Sequence, residues 1–135
     1  NNHVFCVMSD GEQQEGQTWE AYQLAAKYEL NNLTAIIDRN FIQIEGPTGK
    51  VMPLDSLINK IESFGWEVME MNGHDFSQIT SKLKSTQQTQ KPTAVIAHTT
   101  PGKGVSFMEN KSKWHGKAPN EQQTKLALDQ LEAQL

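Results

Sequence analysis

Asp10 and Asn40, thirty positions apart, are hard oxygen donors set in two short polar segments. The first segment is Ser9-Asp10-Gly11-Glu12-Gln13-Gln14-Glu15-Gly16, and the second is Asp38-Arg39-Asn40-Phe41-Ile42. Asp10 follows an apolar run, a place from which a carboxylate can face a cation. Gly11 lets the backbone approach an anion closely, and its amide and those at a following helix start can donate to phosphate oxygens. Asn40 adds a neutral amide oxygen, and neighbouring backbone carbonyls add more. Mg²⁺ takes such ligands in octahedral geometry, commonly one or two carboxylates together with phosphates. Each segment taken alone also reads as a conformational device: Asp-Gly as a strand-to-helix turn, Asn40 as a turn former. A third segment, Thr99 to Pro119, is rich in Gly and Lys. Its Lys103 reads equally as a phosphate contact and as a solvated loop lysine.

The elements that must position these segments alternate. Val4 to Met8 reads as a buried strand ended by Ser9-Asp10-Gly11. Trp19, Tyr22, Ala25, Ala26 and Leu30 have helical spacing within Gly16 to Leu30, and Asn31-Asn32 breaks it. Leu33 to Ile37 is a second strand, and Ile42-Gln43-Ile44 a short extended piece before the Gly46-Pro47 turn. Pro53 to Phe64 reads as a helix with Leu54, Leu57, Ile58 and Ile61 on one face, capped near Asp55 or Ser56 and ended by Gly65. Trp66 to Met71 is a third strand, and Asp75 to Leu83 a helix with Phe76, Ile79 and Leu83 inward. Ser85 to Gln90 is a polar helix end or loop, Thr93 to His98 a fourth strand, and Asn120 caps a last helix through Leu135 that makes contact through Leu126, Leu128 and Leu131. Strands separated by helices imply a mainly parallel sheet with helices on both faces, an α/β fold. Ligands bind such sheets outside the carboxyl ends of the strands, so the polar loops after strands one, two and four can share one edge.

The chain has 135 residues, which suits one domain over 1–135. Its net charge is −4 and no basic stripe stands out, which argues against nucleic acid as a partner. No apolar run approaches the roughly 20 residues of a membrane span. The single cysteine, Cys6, lies in an apolar run and reads as a small buried hydrophobe; one cysteine cannot form an internal disulfide, so a reducing compartment, the cytoplasm, is the simpler expectation. The chain begins with Asn1 and almost directly on a strand, so an upstream segment is expected.

Asp10-Gly11 followed by Asn40 at the end of the next strand resembles the thiamine diphosphate fingerprint, Gly-Asp-Gly and then Asn. The transketolase version adds Glu-Gly and Glu-Ala, here Glu15-Gly16 and Glu20-Ala21. The likeness continues through Thr48-Gly49, Gly65-Trp66, Asn72-Gly73-His74-Asp75, the Pro101-Gly102-Lys103-Gly104 loop and Trp114-His115-Gly116-Lys117-Ala118-Pro119. It covers nearly the whole chain and is most similar to the amino-terminal subunit of split bacterial or archaeal transketolases. The fingerprint's first Gly is Ser9 here, from which a modest change in the turn is expected.

The resemblance implies the carboxy-terminal part of a diphosphate-binding domain with a partial thiamine diphosphate-binding fold. It implies that Asp10 and Asn40 ligate Mg²⁺ through side chains and Ile42 through its carbonyl, with Ca²⁺ or Mn²⁺ able to substitute. Gly11 contacts the diphosphate through its amide. Glu15 corresponds to an acid near a subunit interface that links two active sites; it also reads as a helix-start carboxylate favoured by the dipole. His115 corresponds to a histidine near the diphosphate and the reacting substrate, able to stabilise negative charge or move protons; it also reads as a loop histidine beside Trp114. His3, His74 and His98 have weaker claims, His74 as a turn or cap. The implied reaction moves a two-carbon ketol unit between sugar phosphates, with the cofactor as electron sink. Its implied partners are a pyrimidine-binding subunit or domain, the upstream segment and an oligomeric assembly, without which the chain would be inactive. Two other readings stay open: another thiamine diphosphate enzyme, of the 2-oxo acid dehydrogenase or deoxyxylulose phosphate synthase type, or a non-catalytic scaffold subunit.

Overall fold

Apolar runs and helical periods alternate along the chain, and the computed structural model, which describes residues 2–134, turns them into an α/β architecture. In chain order the elements are β1 (Val4–Ser9), α1 (Gly16–Lys27), β2 (Leu33–Arg39), β3 (Ile42–Gln43), β4 (Gly46–Pro47), α2 (Thr48–Val51), α3 (Leu57–Ser63), β5 (Glu67–Asn72), α4 (Phe76–Thr86), β6 (Thr93–His98) and α5 (Glu121–Glu132). Gly11–Gln14 and Ser112–Trp114 are short 3-10 turns. Four strands form a parallel sheet in the order β1-β2-β6-β5, and β3 pairs with β4 in a separate antiparallel ribbon.

Helices cover both faces, as expected. On one, Tyr22 and Ala25 of α1 and Leu57 and Ile61 of α3 pack with Trp66 on Ala35, Ile37, Ala94 and Ile96. Trp66 locks this layer: its ring meets Tyr22 edge-on at 4.8 Å and its indole N–H donates to the Tyr22 carbonyl at 2.8 Å. On the other face, Ile79 and Leu83 of α4 pack with Met69 and Met71 on Val95 and Ala97. The central strand β6 is buried from Thr93 to Ala97, the continuous apolar burial of a parallel strand covered on both sides.

Several sequence expectations change. β1 is an edge strand, not a buried one: Val4, Phe5 and Val7 are 51%, 41% and 72% exposed, and Cys6 is exposed too, because β1 has a neighbour on one side only. The helix expected from Pro53 begins at Leu57. Pro53 disfavours helical backbone at Met52, which is extended at φ −151°, and the Ser56 hydroxyl caps the Asn59 amide. Phe76 is exposed because it stands in the first turn of α4, at the carboxyl edge of the sheet, with no strand beneath it. Leu126, Leu128 and Leu131 are exposed as well: α5 lies against the preceding loop, through Gln130 to the Ser106 amide and Gln134 to the Gly104 carbonyl. Leu135 lies outside the described residues.

Register brings the polar loops together. Ser9 aligns with Asp38, and Arg39 with His98, so β1, β2 and β6 end at one edge. The Asp10 amide donates to the Asp38 carbonyl and the Thr99 amide to the Arg39 carbonyl, extending the sheet into all three loops.

Candidate functional site at the carboxyl edge of the sheet

Asp10 follows the last residue of β1 and is 1% exposed. Its Oδ2 accepts from Arg39 Nη1 at 2.9 Å, the Phe41 amide at 2.8 Å and Thr48 Oγ1 at 3.4 Å. Its Oδ1 accepts no hydrogen bond among the described residues, and no fully buried side-chain oxygen or nitrogen there lacks a partner. Oδ1 is therefore not completely enclosed and is the Asp10 oxygen left without a donor.

Arg39 was not singled out from the sequence, although a signal was present. It follows Ala35 and Ile37 at period two on the face that α1 and α3 cover, so a charge there needs a buried partner. Its guanidinium also lies 4.2 Å from the Phe41 ring centre, and that ring stacks on His98 at 6.2 Å. Phe41 holds φ at +65°, a conformation rare for a bulky residue, at the point where its amide donates to Asp10. The Phe41 carbonyl accepts from the Thr48 amide at 3.0 Å, which closes the β3–β4 ribbon onto the same centre.

Asn40 and Ile42 flank Phe41 and so arrive beside Asp10. Asn40 is half-buried; its Oδ1 accepts from the Ile42 amide at 3.0 Å and its Nδ2 reaches Asp38 Oδ2 at 3.4 Å. Ile42 is buried at the start of β3. Gln14 ties the first loop to this ribbon through Gln43 Oε1 at 2.7 Å.

Gly11 opens the first 3-10 turn, a position whose amide has no intrahelical acceptor, and among the described residues no side chain bonds it. A Cβ there would meet only Ser9 Oγ, at 3.8 Å, so the approach is open. Ser9 has a definite use: its Oγ accepts from the Glu12 amide at 3.1 Å while Glu12 Oε2 accepts from the Ser9 amide at 2.6 Å. This reciprocal pair is a capping box that stiffens the turn. Beneath it, Gln13 is fully buried, donating to the Ser9 carbonyl and accepting from Tyr22 Oη at 2.8 Å. Burial raises the Tyr22 pKa well above that of a free tyrosine, with a smaller push from Cys6 and an opposing one from Gln13.

Among the described residues, no hydrogen bond joins Glu15 or His115 to this centre. Glu15 is the exposed residue preceding α1 and its side chain caps nothing. His115 is exposed at the end of the Ser112–Trp114 turn. Trp114 is the anchored member, with its indole N–H on the Phe107 carbonyl at 2.8 Å and its ring edge-on to Phe107 at 5.3 Å. The Glu45 carboxyl between β3 and β4 is held below its usual range chiefly by Gln43, then by its own backbone amide, with a minor contribution from His115. His74 is structural, accepting from the Thr100 amide at 2.7 Å; His98 pairs with Glu70 at 2.6 Å and His3 with Thr34 at 2.8 Å.

The donor chemistry fits Mg²⁺ and a diphosphate. Among the described residues no group of three or more His, Cys, Asp and Glu side chains could hold a metal, so a cation at Asp10 would complete its shell from amide, carbonyl and phosphate oxygens. That mixture is the one Mg²⁺ favours.

An edge of this kind, with a carboxylate and a free glycine amide outside parallel strands, defines an α/β cofactor-binding domain. Residues 1–133 match the family described as transketolase, thiamine diphosphate binding domain. The chain is 46% identical over 121 residues to one subunit of the apulose-4-phosphate transketolase of Phocaeicola vulgatus, covering 89% of this chain and 43% of that protein. It is 37% identical over 132 residues to a 6-deoxy-6-sulfo-D-fructose transketolase subunit of a Clostridium species, covering 97% of this chain and 48% of that one. The crystal structure of Campylobacter jejuni transketolase superposes with a TM-score of 0.92 at 35% identity, over 98% of this chain and 21% of that chain. The chain therefore belongs to the transketolase family and carries its thiamine diphosphate-binding domain fold. It spans less than half the length of these relatives. The relatives do not favour a 2-oxo acid dehydrogenase, a deoxyxylulose phosphate synthase or a scaffold.

Proposed function

We propose that this chain is the carboxy-terminal part of the diphosphate-binding domain of a split transketolase and holds Mg²⁺ and the diphosphate of thiamine diphosphate. The observation that carries the reading is Asp10, whose Oδ1 is left free beside Asn40 and Ile42 while Oδ2 is fully engaged. In this reading Asp10 Oδ1, the Asn40 amide oxygen and the Ile42 carbonyl hold the cation, and the Gly11 amide donates to a phosphate oxygen. Ca²⁺ or Mn²⁺ can take the place of Mg²⁺. Bound thiamine diphosphate supplies the electron sink for carbon–carbon cleavage in ketol transfer between sugar phosphates. His115 stabilises negative charge or shuttles a proton near the diphosphate, and Glu15 lies at a subunit interface.

The ring-binding half of the site belongs to a pyrimidine-binding subunit, so the working enzyme is a cytoplasmic oligomer and this chain alone is inactive. Titration calorimetry of thiamine diphosphate with Mg²⁺ into the chain, alone and with candidate partner chains, tests the reading. Binding that requires Mg²⁺ and the partner, and disappears in Asp10→Ala, is expected. No binding in the assembled complex overturns it.

A further inference from the structure

We propose that Arg39 is a positioning residue that restricts Asp10 to one free oxygen and thereby sets the preference of this site for Mg²⁺ over Ca²⁺; the inference rests on the reading of Asp10 as a cation ligand. The terminal torsion of an aspartate is broad and roughly two-fold, so an unrestrained Asp10 could offer either oxygen or both. Here three donors converge on Oδ2. Arg39 Nη1 is at 2.9 Å, the Phe41 amide at 2.8 Å and Thr48 Oγ1 at 3.4 Å.

Arg39 is itself restrained. Its side chain is 9% exposed, its Nη1 also donates to Thr48 Oγ1 at 3.3 Å, and its guanidinium rests on the Phe41 ring at 4.2 Å. Thr48 is fully buried. The arrangement leaves a single oxygen without a donor. Ca²⁺ accepts carboxylates with one or both oxygens in a flexible shell of six to eight, whereas Mg²⁺ demands near-ideal octahedral geometry. A carboxylate pinned at Oδ2 cannot chelate with both oxygens, which handicaps Ca²⁺ and suits Mg²⁺. Arg39 also acts in the opposite sense, because its positive charge repels any cation at Asp10. The proposal is that orientation outweighs this repulsion. Residues that orient a metal ligand in this way typically change metal affinity by about 10- to 100-fold when removed.

The test uses the protein assembled with its partner chain, with thiamine diphosphate in excess, titrating Mg²⁺ and Ca²⁺ separately and following binding by calorimetry. Arg39→Met is expected to weaken Mg²⁺ by at least about tenfold and Ca²⁺ by less, lowering the Mg²⁺/Ca²⁺ affinity ratio. Arg39→Lys, which keeps a donor and the charge, is expected to restore most of the Mg²⁺ affinity. Thr48→Val, which removes one donor and leaves the charge, is expected to lower the ratio in the same direction by a smaller factor. Equal loss for both metals, or unchanged or tighter Mg²⁺ binding in Arg39→Met, overturns the proposal. If Arg39→Met does not fold, an unchanged ratio in Thr48→Val overturns it. Asp10→Ala separates this from the underlying reading: if it binds both metals like the unmodified protein, Asp10 is not a ligand and the site assignment itself fails.

Discussion

Asp10 and His115 sit in two loops of one chain, and their surroundings differ sharply. Asp10 is 1% exposed and held by three donors, while His115 is exposed and its imidazole makes no hydrogen bond among the described residues. The residues proposed for the anchor are fixed by contacts that this chain supplies itself. The residues proposed for the reaction, His115 and Glu15, are both exposed, and among the described residues no hydrogen bond fixes either side chain. Anchoring and reacting groups thus differ in how far they are preorganised, and substitutions should separate them.

The largest effect is expected at Asp10. Asp10→Ala strands the Arg39 guanidinium in a buried site, which should cost about 3–5 kcal/mol of folding stability, read by denaturant unfolding. A loss as small as that of a surface change would mean that the anchor is not preformed. Next is Tyr22→Phe, which removes the hydroxyl bonded to buried Gln13 and should cost about 1–3 kcal/mol. Tyr22 also gives the anchor layer a pH dependence. Its folded pKa is raised, so the native state keeps a proton that the unfolded state releases above about pH 10. The stability it contributes is complete below that point and falls as pH rises further. Unfolding curves at increasing alkalinity should show this decline, and Tyr22→Phe should lessen it.

Smaller still is Ser9→Ala, which opens the capping box with Glu12 and should cost about 1 kcal/mol. Circular dichroism and thermal unfolding would check it, and cofactor affinity in the assembled protein should fall with it if the turn presents the Gly11 amide. The smallest effect on folding is expected at His115. His115→Ala should change stability by no more than about 0.5 kcal/mol, while lowering turnover of the assembled enzyme by at least about 100-fold. A large loss of stability there would show that the loop is part of the frame, erasing the contrast with Asp10.

Much of this was legible in the sequence. The alternation of apolar runs and helical periods led to the α/β sheet, and the placement of Asp10, Gly11 and Asn40 led to the edge where they meet. What was less legible shares a physical cause. Val4-Phe5-Cys6-Val7 of β1 and Ala94-Val95-Ile96-Ala97 of β6 are equally apolar, yet the first is exposed and the second buried. The difference is strand order, which composition does not encode. Leu126 and Leu128 of α5 and Phe76 misled in the same way, since a helical face is buried only if something lies opposite, whereas Leu131 does lie against Gly104.

By itself the sequence determined which groups could bind a cation and an anion, and the local periods that carry them, because those depend on side-chain type and near neighbours. Only the tertiary structure decided how Asp10 is presented. Arg39, Phe41 and Thr48 lie 29, 31 and 38 residues away from it, and a parallel crossover brings them onto one of its oxygens. A carboxylate's chemistry is local, but the oxygen it leaves free is settled by partners that only folding brings within reach.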